Sequence, residues 1–166
     1  MSVQLSEPQA LSAAHRVDEF ECGEAELDNW LKRRALANQV SGASRTFVVA
    51  EQGNRVCAYY AIAAGAVSHH VATSKVRRNM PDPVPVMVLA RLAVDRRFQG
   101  MKLGSALLQD ALNRALAVSQ HVGVRALLVH ALHESAKQFY EHYGFQVSPA
   151  HPMTLMLRLR RTPQNG

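Results

Sequence analysis

Two glycines, Gly100 and Gly104, stand beside Arg96, Arg97 and Lys102 in the stretch Arg97-Phe-Gln-Gly-Met-Lys-Leu-Gly-Ser-Ala-Leu-Leu108. A glycine-bearing turn that opens a helix presents main-chain N–H groups without intrahelical partners, together with the positive end of the helix dipole. Flanking cations add charge. Such a joint suits a phosphate or pyrophosphate. It is not a nucleotide-binding P-loop, because Ser105 and not lysine follows Gly104. Nor is it a dinucleotide fingerprint, because Leu107 holds the place of the third glycine.

The elements that must position this joint are legible around it. Val86 to Val94 is an apolar run that predicts a buried strand, and Leu103 to Gln120 predicts an amphipathic helix with Leu103, Ala106, Leu107, Ala111, Ala115 and Val118 on its apolar stripe. Gly123 stops that helix, and Val124 to Ala131 reads as a second strand covered on both faces. Strand, helix and strand make a right-handed βαβ unit. Upstream, Val3 to Leu5 suits a short first strand. Glu24 to Asn38 suits one helix with Leu27, Trp30, Leu31 and Ala35 on its inner stripe, followed by a loop over Val40 to Ala43. Arg45 to Ala50 and Arg55 to Ala64 read as a hairpin around Gln52-Gly53-Asn54. Lys75, Arg77 and Arg78 fall in a polar connection before Pro81, Pro83 and Pro85. Downstream, Glu134 to Tyr143 predicts a last helix, and Phe145 to Val147 with Thr154 to Leu159 a final antiparallel pair. The fold class is α/β, a central mixed sheet flanked by helices, organised as one domain over residues 1–160 with a flexible tail over 161–166.

With 166 residues, 48% hydrophobic and 19% charged, the chain can bury a core of single-domain size. No apolar run is long enough to span a bilayer, and the N-terminus lacks the pattern of a signal peptide. Cys22 and Cys57 offer neither a disulfide framework nor zinc spacing, and His130 with His133 lacks a third ligand, so no metal is expected. These features point to a reducing cytoplasm. The net charge of +6 favours polyanionic partners.

Arg97-x-x-Gly100-x-Lys102-x-Gly104 resembles the acyl-CoA loop of the GNAT N-acetyltransferases, [Q/R]-x-x-G-x-[G/A], with Lys102 where glycine or alanine is usual. The run from Ala136 to Phe145 resembles the GNAT ending, an alanine, a tyrosine four residues on, then Gly-Phe. Many members carry asparagine seven before the tyrosine, where this chain has His133. The stretch Leu89 to Asp95, the proline-rich lead-in, Val129-His130-Ala131, Phe139-Tyr140, Phe20 to Gly23 and Leu27-Asp28-x-Trp30-Leu31 further resemble the TacT/AtaT-type toxins, bacterial GNAT members of type II toxin–antitoxin modules. The resemblance implies the GNAT fold, acetyl-CoA as acetyl donor, and acetylation of the α-amino group of aminoacyl-tRNA, which blocks translation. It implies a ribbon-helix-helix antitoxin and a homodimer. Carried onto this sequence, Tyr140 is the acid that protonates the departing thiolate. Main-chain groups of Leu92, Ala93 and Val94 hold the pantetheine arm. Arg97 and the turn Gln99, Gly100, Met101, Lys102, Leu103, Gly104 and Ser105 hold the pyrophosphate.

The chemistry of the acceptor agrees. An attacking amine must be neutral. A lysine side chain of pKa about 10.4 needs a base, whereas an α-amine of about 7.7–8.0 is partly neutral already. No carboxylate in the sequence presents itself as that base, which favours an α-amine. Lys32, Arg33, Arg34, Lys75, Arg77, Arg78 and Arg91 are the candidate contacts to tRNA phosphates. A GNAT enzyme acting on a protein N-terminus or a small amine, and a non-enzymatic acyl-CoA or nucleic-acid-binding module, are the alternatives.

Overall fold

β-branched and aromatic residues fill Arg45–Ala50, and the Gly53-Asn54 pair, with φ of 89° and 67°, supplies the left-handed backbone a tight reversal needs. The computed structural model, which describes residues 4–160, accordingly pairs β2 (Arg45–Ala50) antiparallel with β3 (Val56–Val67), from Arg45↔Ile62 to Ala50↔Val56. The first strand is β1 (Gln9–Ala10) on the outer side of β2. Of the expected strand at Val3 to Leu5, Val3 lies outside the described residues and Leu5 makes only an isolated bridge to Glu51. The expected tail over 161–166 also lies outside them.

The remaining elements are α1 (Ala25–Arg33), α2 (Ala35–Ser41), α3 (Ser74–Arg77), β4 (Val84–Val94), α4 (Leu103–Ser119), β5 (Ala126–His130), α5 (Glu134–His142), β6 (Gln146–Val147) and β7 (Thr154–Arg158). The strands form one seven-stranded mixed sheet in the order β1-β2-β3-β4-β5-β7-β6. β4 and β5 run parallel, Val86↔Ala126 to Leu89↔Val129, as the strand–helix–strand pattern requires.

The residues fall into two compact units, Met1–Ala63 with Ala90–Ala111, and Ala64–Leu89 with Leu112–Gly166. In the first, Leu11, Phe20, Leu31, Ala35, Val48, Val56, Tyr59 and Ala93 form the core, and Tyr59 donates to the Leu27 carbonyl at 2.7 Å. The single helix expected over Glu24 to Asn38 is two. Arg34 interrupts it with φ −123°, and α2 runs on through Ser41 to a left-handed cap at Gly42, over residues read as loop. The physical reason is Gln39. Its amide donates to the Leu11 and Thr46 carbonyls, both at 3.2 Å, and accepts from the Thr46 N–H at 2.8 Å, which fixes α2 on the edge of β2. Trp30 is half-buried, stacked on Tyr59 at 6.0 Å.

In the second unit, Val67, Ala72, Val76, Val84, Val86, Ala126, Leu128 and Met156 pack together. The polar connection around Lys75 contains α3, whose last carbonyls are held by Arg125: Nε donates to Val76 O at 3.1 Å, and Nη2 to Lys75 O and Arg78 O at 3.2 and 3.1 Å. On α4, Ala106 and Val118 of the expected stripe are exposed, and Leu107, Leu108, Ala111 and Ala115 are the buried residues.

Gly65 shows how closely the second unit is packed. A Cβ there would lie 2.8 Å from Val88 Cγ2. Gly65→Ala is expected to destabilise the protein by about 1–3 kcal/mol, the usual cost of overpacking. Urea unfolding of the two proteins checks this; equal midpoints would contradict it.

Candidate active site

In the first unit, β4 ends at Val94 and the chain turns through Asp95. A 3-10 turn over Arg96–Phe98, then Gln99 to Lys102, leads into α4. Asp95, only 2% exposed, organises this connection. Its Oδ1 accepts from Arg97 N at 3.0 Å and Arg97 Nε at 3.3 Å, and its Oδ2 accepts from Glu21 N at 3.0 Å. Its own N–H donates to Cys57 O at 2.8 Å. Burial pushes the Asp95 carboxyl up, but the Arg97 and Glu21 N–H donors and the Arg97 guanidinium outweigh it, and the group is held below the usual carboxylate range.

The side chains named from the sequence divide into two roles. Arg97 bonds Asp95, reaches Glu51 at 3.4 Å, and lies 5.0 Å from the Phe98 ring centroid. Gln99 Nε2 donates to Cys22 O and Val94 O at 2.8 and 2.9 Å. Both side chains therefore hold the turn's own frame. What the turn exposes is main chain at Gly100, the Met101 side chain and one ammonium. Gly100 has φ 86° and open space where a Cβ would be; Met101 and Lys102 are exposed. Lys102 has φ 63°, the left-handed region in which a non-glycine residue is strained. That conformation accounts for glycine being usual at this position, and it is invisible in the sequence. Leu103, Gly104 and Ser105 form the first turn of α4, and Ser105 Oγ donates back to Lys102 O at 3.0 Å. Tyr60, fully buried on β3, donates a short hydrogen bond to Asp110 of α4 and tethers the helix one and a half turns beyond the site. Leu92 and Val94 are partly accessible on β4, with Ala93 buried between them.

These donors fit a pyrophosphate. The first turn of a 17-residue helix, a positive-φ turn and a lysine follow one another in the chain, and the carboxylates Asp95 and Glu51 are occupied by Arg97.

In the second unit, Tyr140 on α5 is 8% exposed, with ring contacts to Phe139 at 5.3 Å and Phe145 at 5.4 Å. Burial pushes its phenol up to about 12. His133 caps α5, its Nδ1 accepting from Ala136 N at 3.2 Å with Ser135 Oγ 2.7 Å away. The sequence reading missed this role, although a residue with a short-range acceptor directly before Glu134 is the signal for it. His130, exposed at the end of β5, has Nδ1 2.9 Å from Thr154 Oγ1. Among the described residues, no group of three or more His, Cys, Asp or Glu side chains could hold a metal. No helix of the described residues is long and apolar enough to cross a membrane.

The basic candidates also divide. Lys32, Arg33 and Arg34 are exposed on and after α1 in the first unit, where Arg91 lies 4.3 Å over the Trp30 ring. Lys75, Arg77 and Arg78 are exposed in the second unit.

The Asp95 frame yields a pH-dependent expectation. Its depressed pKa contributes stability that is present above the unfolded-state value of about 3.9 and lost as pH falls through the lower folded value. Asp95→Ala should cost about 1–3 kcal/mol at pH 7, because it takes the charged acceptor from the part-buried N–H groups of Glu21 and Arg97. The gap from wild type should narrow as the wild-type carboxyl protonates. Urea unfolding at pH 7 and near pH 3 tests this; a gap that widens in acid would contradict it.

Comparison with known proteins identifies the family. Residues 43–147 match the family described as an acetyltransferase (GNAT) domain. A protein of Mycobacterium tuberculosis described as a tRNA-acetylating toxin is 52% identical over 155 residues, 93% of either chain. The solved structure of AtaT complexed with acetyl-methionyl-tRNAfMet superposes with a TM-score of 0.85 at 25% identity, covering 93% of this chain and 95% of the other. That of AtaTR bound with AcCoA superposes at 0.80 with 27% identity, covering 93% and 94%. The chain belongs to the GNAT acetyltransferase family, in its toxin branch.

Proposed function

We propose that this protein is an acetyl-CoA-dependent toxin that acetylates the α-amino group of aminoacyl-tRNA and so blocks translation. The observation that carries the reading is the 52% identity, across nearly the whole chain, to a tRNA-acetylating toxin. The outward-facing donors from Gln99 to Ser105 supply its chemical counterpart.

Acetyl-CoA brings an activated thioester. The turn's amides, with the Lys102 ammonium, hold the pyrophosphate, and main-chain groups of Leu92, Ala93 and Val94 hold the pantetheine arm by strand-like hydrogen bonds. Arg97 and Gln99 act through the frame they build. Tyr140 supplies a proton to the sulfur as the thiolate leaves. A phenol held up to about 12 remains protonated throughout the physiological range and so is always ready to donate. The burial that raises it also raises the proton affinity of a thiolate formed beside it. The proton released by the attacking amine restores the phenol. No dedicated base is needed for an α-amine, which is partly neutral near pH 8. The products are N-acetylaminoacyl-tRNA and CoA.

Lys32, Arg33, Arg34, Lys75, Arg77, Arg78 and Arg91 are the proposed contacts to tRNA phosphates, chosen for charge and exposure. Arg91 is the exception in exposure; its guanidinium is braced on Trp30. A toxin of this kind needs restraint inside its host, and a co-encoded ribbon-helix-helix antitoxin is the proposed partner. A homodimer is the proposed assembly. The two cysteines are free, which supports a reducing cytoplasm as its compartment.

Radiolabelled acetyl-CoA with a charged tRNA pool should place label in the tRNA fraction, in a form that leaves with the amino acid on mild alkaline deacylation. Tyr140→Phe should transfer label at least about a hundredfold more slowly, within the usual range for general acid catalysis, with an unchanged melting temperature. The initial wild-type rate should rise from about pH 6 to about pH 8, where the aminoacyl ester survives the assay, as the amine deprotonates, and show no decline there, since Tyr140 stays protonated. Label found only on protein or free small amines would transfer the assignment to a protein N-terminus or a small-molecule amine.

A further inference from the structure

Five ion pairs, each made by Arg55, Arg96 or Arg97, lie in the first unit. In the second unit Lys75 and Arg77 lie on α3, Arg78 follows it, Arg125 precedes β5, and Arg158 ends β7. Among the described residues none of these five cations has a carboxylate within ion-pair distance.

They share one end of the unit. Arg125 binds the carbonyls of Lys75, Val76 and Arg78, which ties it to α3. Arg158 is registered against Ala126, and Leu159 N donates to Arg125 O at 3.0 Å, so the two arginines stand on successive rungs at the same end of β5 and β7. They are close enough to repel: after burial, Arg158 is the cause that lowers the Arg125 pKa. Arg158 Nε is buried and bonds to nothing. Arg158 has no carboxylate beside it among the described residues, and an anion laid there would relieve the repulsion it exerts on Arg125. This end is the start of β5. His130, which leads through Ala131 and Leu132 to the helix of Tyr140, is the other end, about 16 Å away at roughly 3.3 Å per residue.

We infer that this cluster, centred on Arg125 and Arg158, is a second anchor for the RNA sugar–phosphate backbone, remote from the reacting amine. The inference rests on the aminoacyl-tRNA reading. Two features favour RNA over an acidic peptide. The cations spread along α3 and two strand ends, which suits a line of phosphates, and guanidinium and ammonium groups both donate to phosphate oxygens. Arg158 acts here as a binding residue, and the consequence is that the enzyme reads tRNA beyond its aminoacyl terminus.

Arg158→Gln separates this role from a structural one. It removes the repulsion and keeps a polar side chain, so its melting temperature should equal or exceed that of the wild type. KM for aminoacyl-tRNA should rise about fivefold, and the slope of log affinity for tRNA against log salt should become shallower by about one contact. Acetylation of an aminoacylated CA dinucleotide should be unaffected, because that fragment is too short to reach the cluster. Equal KM for full-length tRNA would overturn the inference, as would an equal loss on tRNA and on the fragment. Loss of affinity for poly-glutamate with tRNA binding intact would also overturn it and assign the cluster to an acidic peptide. If the wild type acetylates neither RNA, the aminoacyl-tRNA reading itself has failed, which is a different result.

Discussion

A single buried carboxylate sets the geometry on which the rest of the first unit's chemistry depends. Asp95 lies where β4 stops being a strand, and it accepts N–H groups from Arg97, two residues on, and from Glu21, 74 residues back in sequence. Hydrogen bonds to a charged group contribute about 1.5–3 kcal/mol each, more than the exposed Arg97–Glu51 ion pair beside them. With Asp95 ionised, the chain is bent into the 3-10 turn, and Gln99 closes the same turn from its far side through the Cys22 and Val94 carbonyls. The acids and amides of the site are thereby consumed in shaping it. Backbone N–H groups and Lys102 are left facing outward, which is the polarity an anionic ligand requires.

Lys102 illustrates the exchange between stability and function. A non-glycine residue at φ 63° costs on the order of 1 kcal/mol or more. In return, it places a positive charge at a point where glycine would supply only a close backbone approach. Tyr140 shows a parallel case. Packing it among Phe139 and Phe145 raises the phenol and keeps its proton in place.

Much of this was legible in the sequence, for physical reasons. The strand–turn–helix joint announces itself because a buried parallel strand must be a near-continuous apolar run and a helix entry beside glycines must be polar. Tyr140 was legible only through resemblance, since an aromatic on a helix face says nothing of a proton. Other features depended on contacts distant in sequence. The break at Arg34 follows from Gln39 bonding to Leu11 and Thr46, which no helical periodicity can reveal. The left-handed backbone of Lys102 contradicts local propensity and is imposed by its surroundings. Arg125 and Arg158 are 33 residues apart in the chain, and only the register of β5 with β7 brings them to successive rungs of one ladder. His133 reads as a departure from a family pattern until its ring is seen capping α5.

The central claim is that the amides of the turn into α4 hold acetyl-CoA. Calorimetric titration of acetyl-CoA into the wild-type protein and into Gly104→Glu tests it most directly, because the substitution sets a bulky anion at the first turn of the helix, where the phosphates are assigned. The account predicts measurable binding to the wild type and none to the variant, with the far-ultraviolet dichroism of the two proteins the same. Equal affinity of both proteins for acetyl-CoA would contradict it.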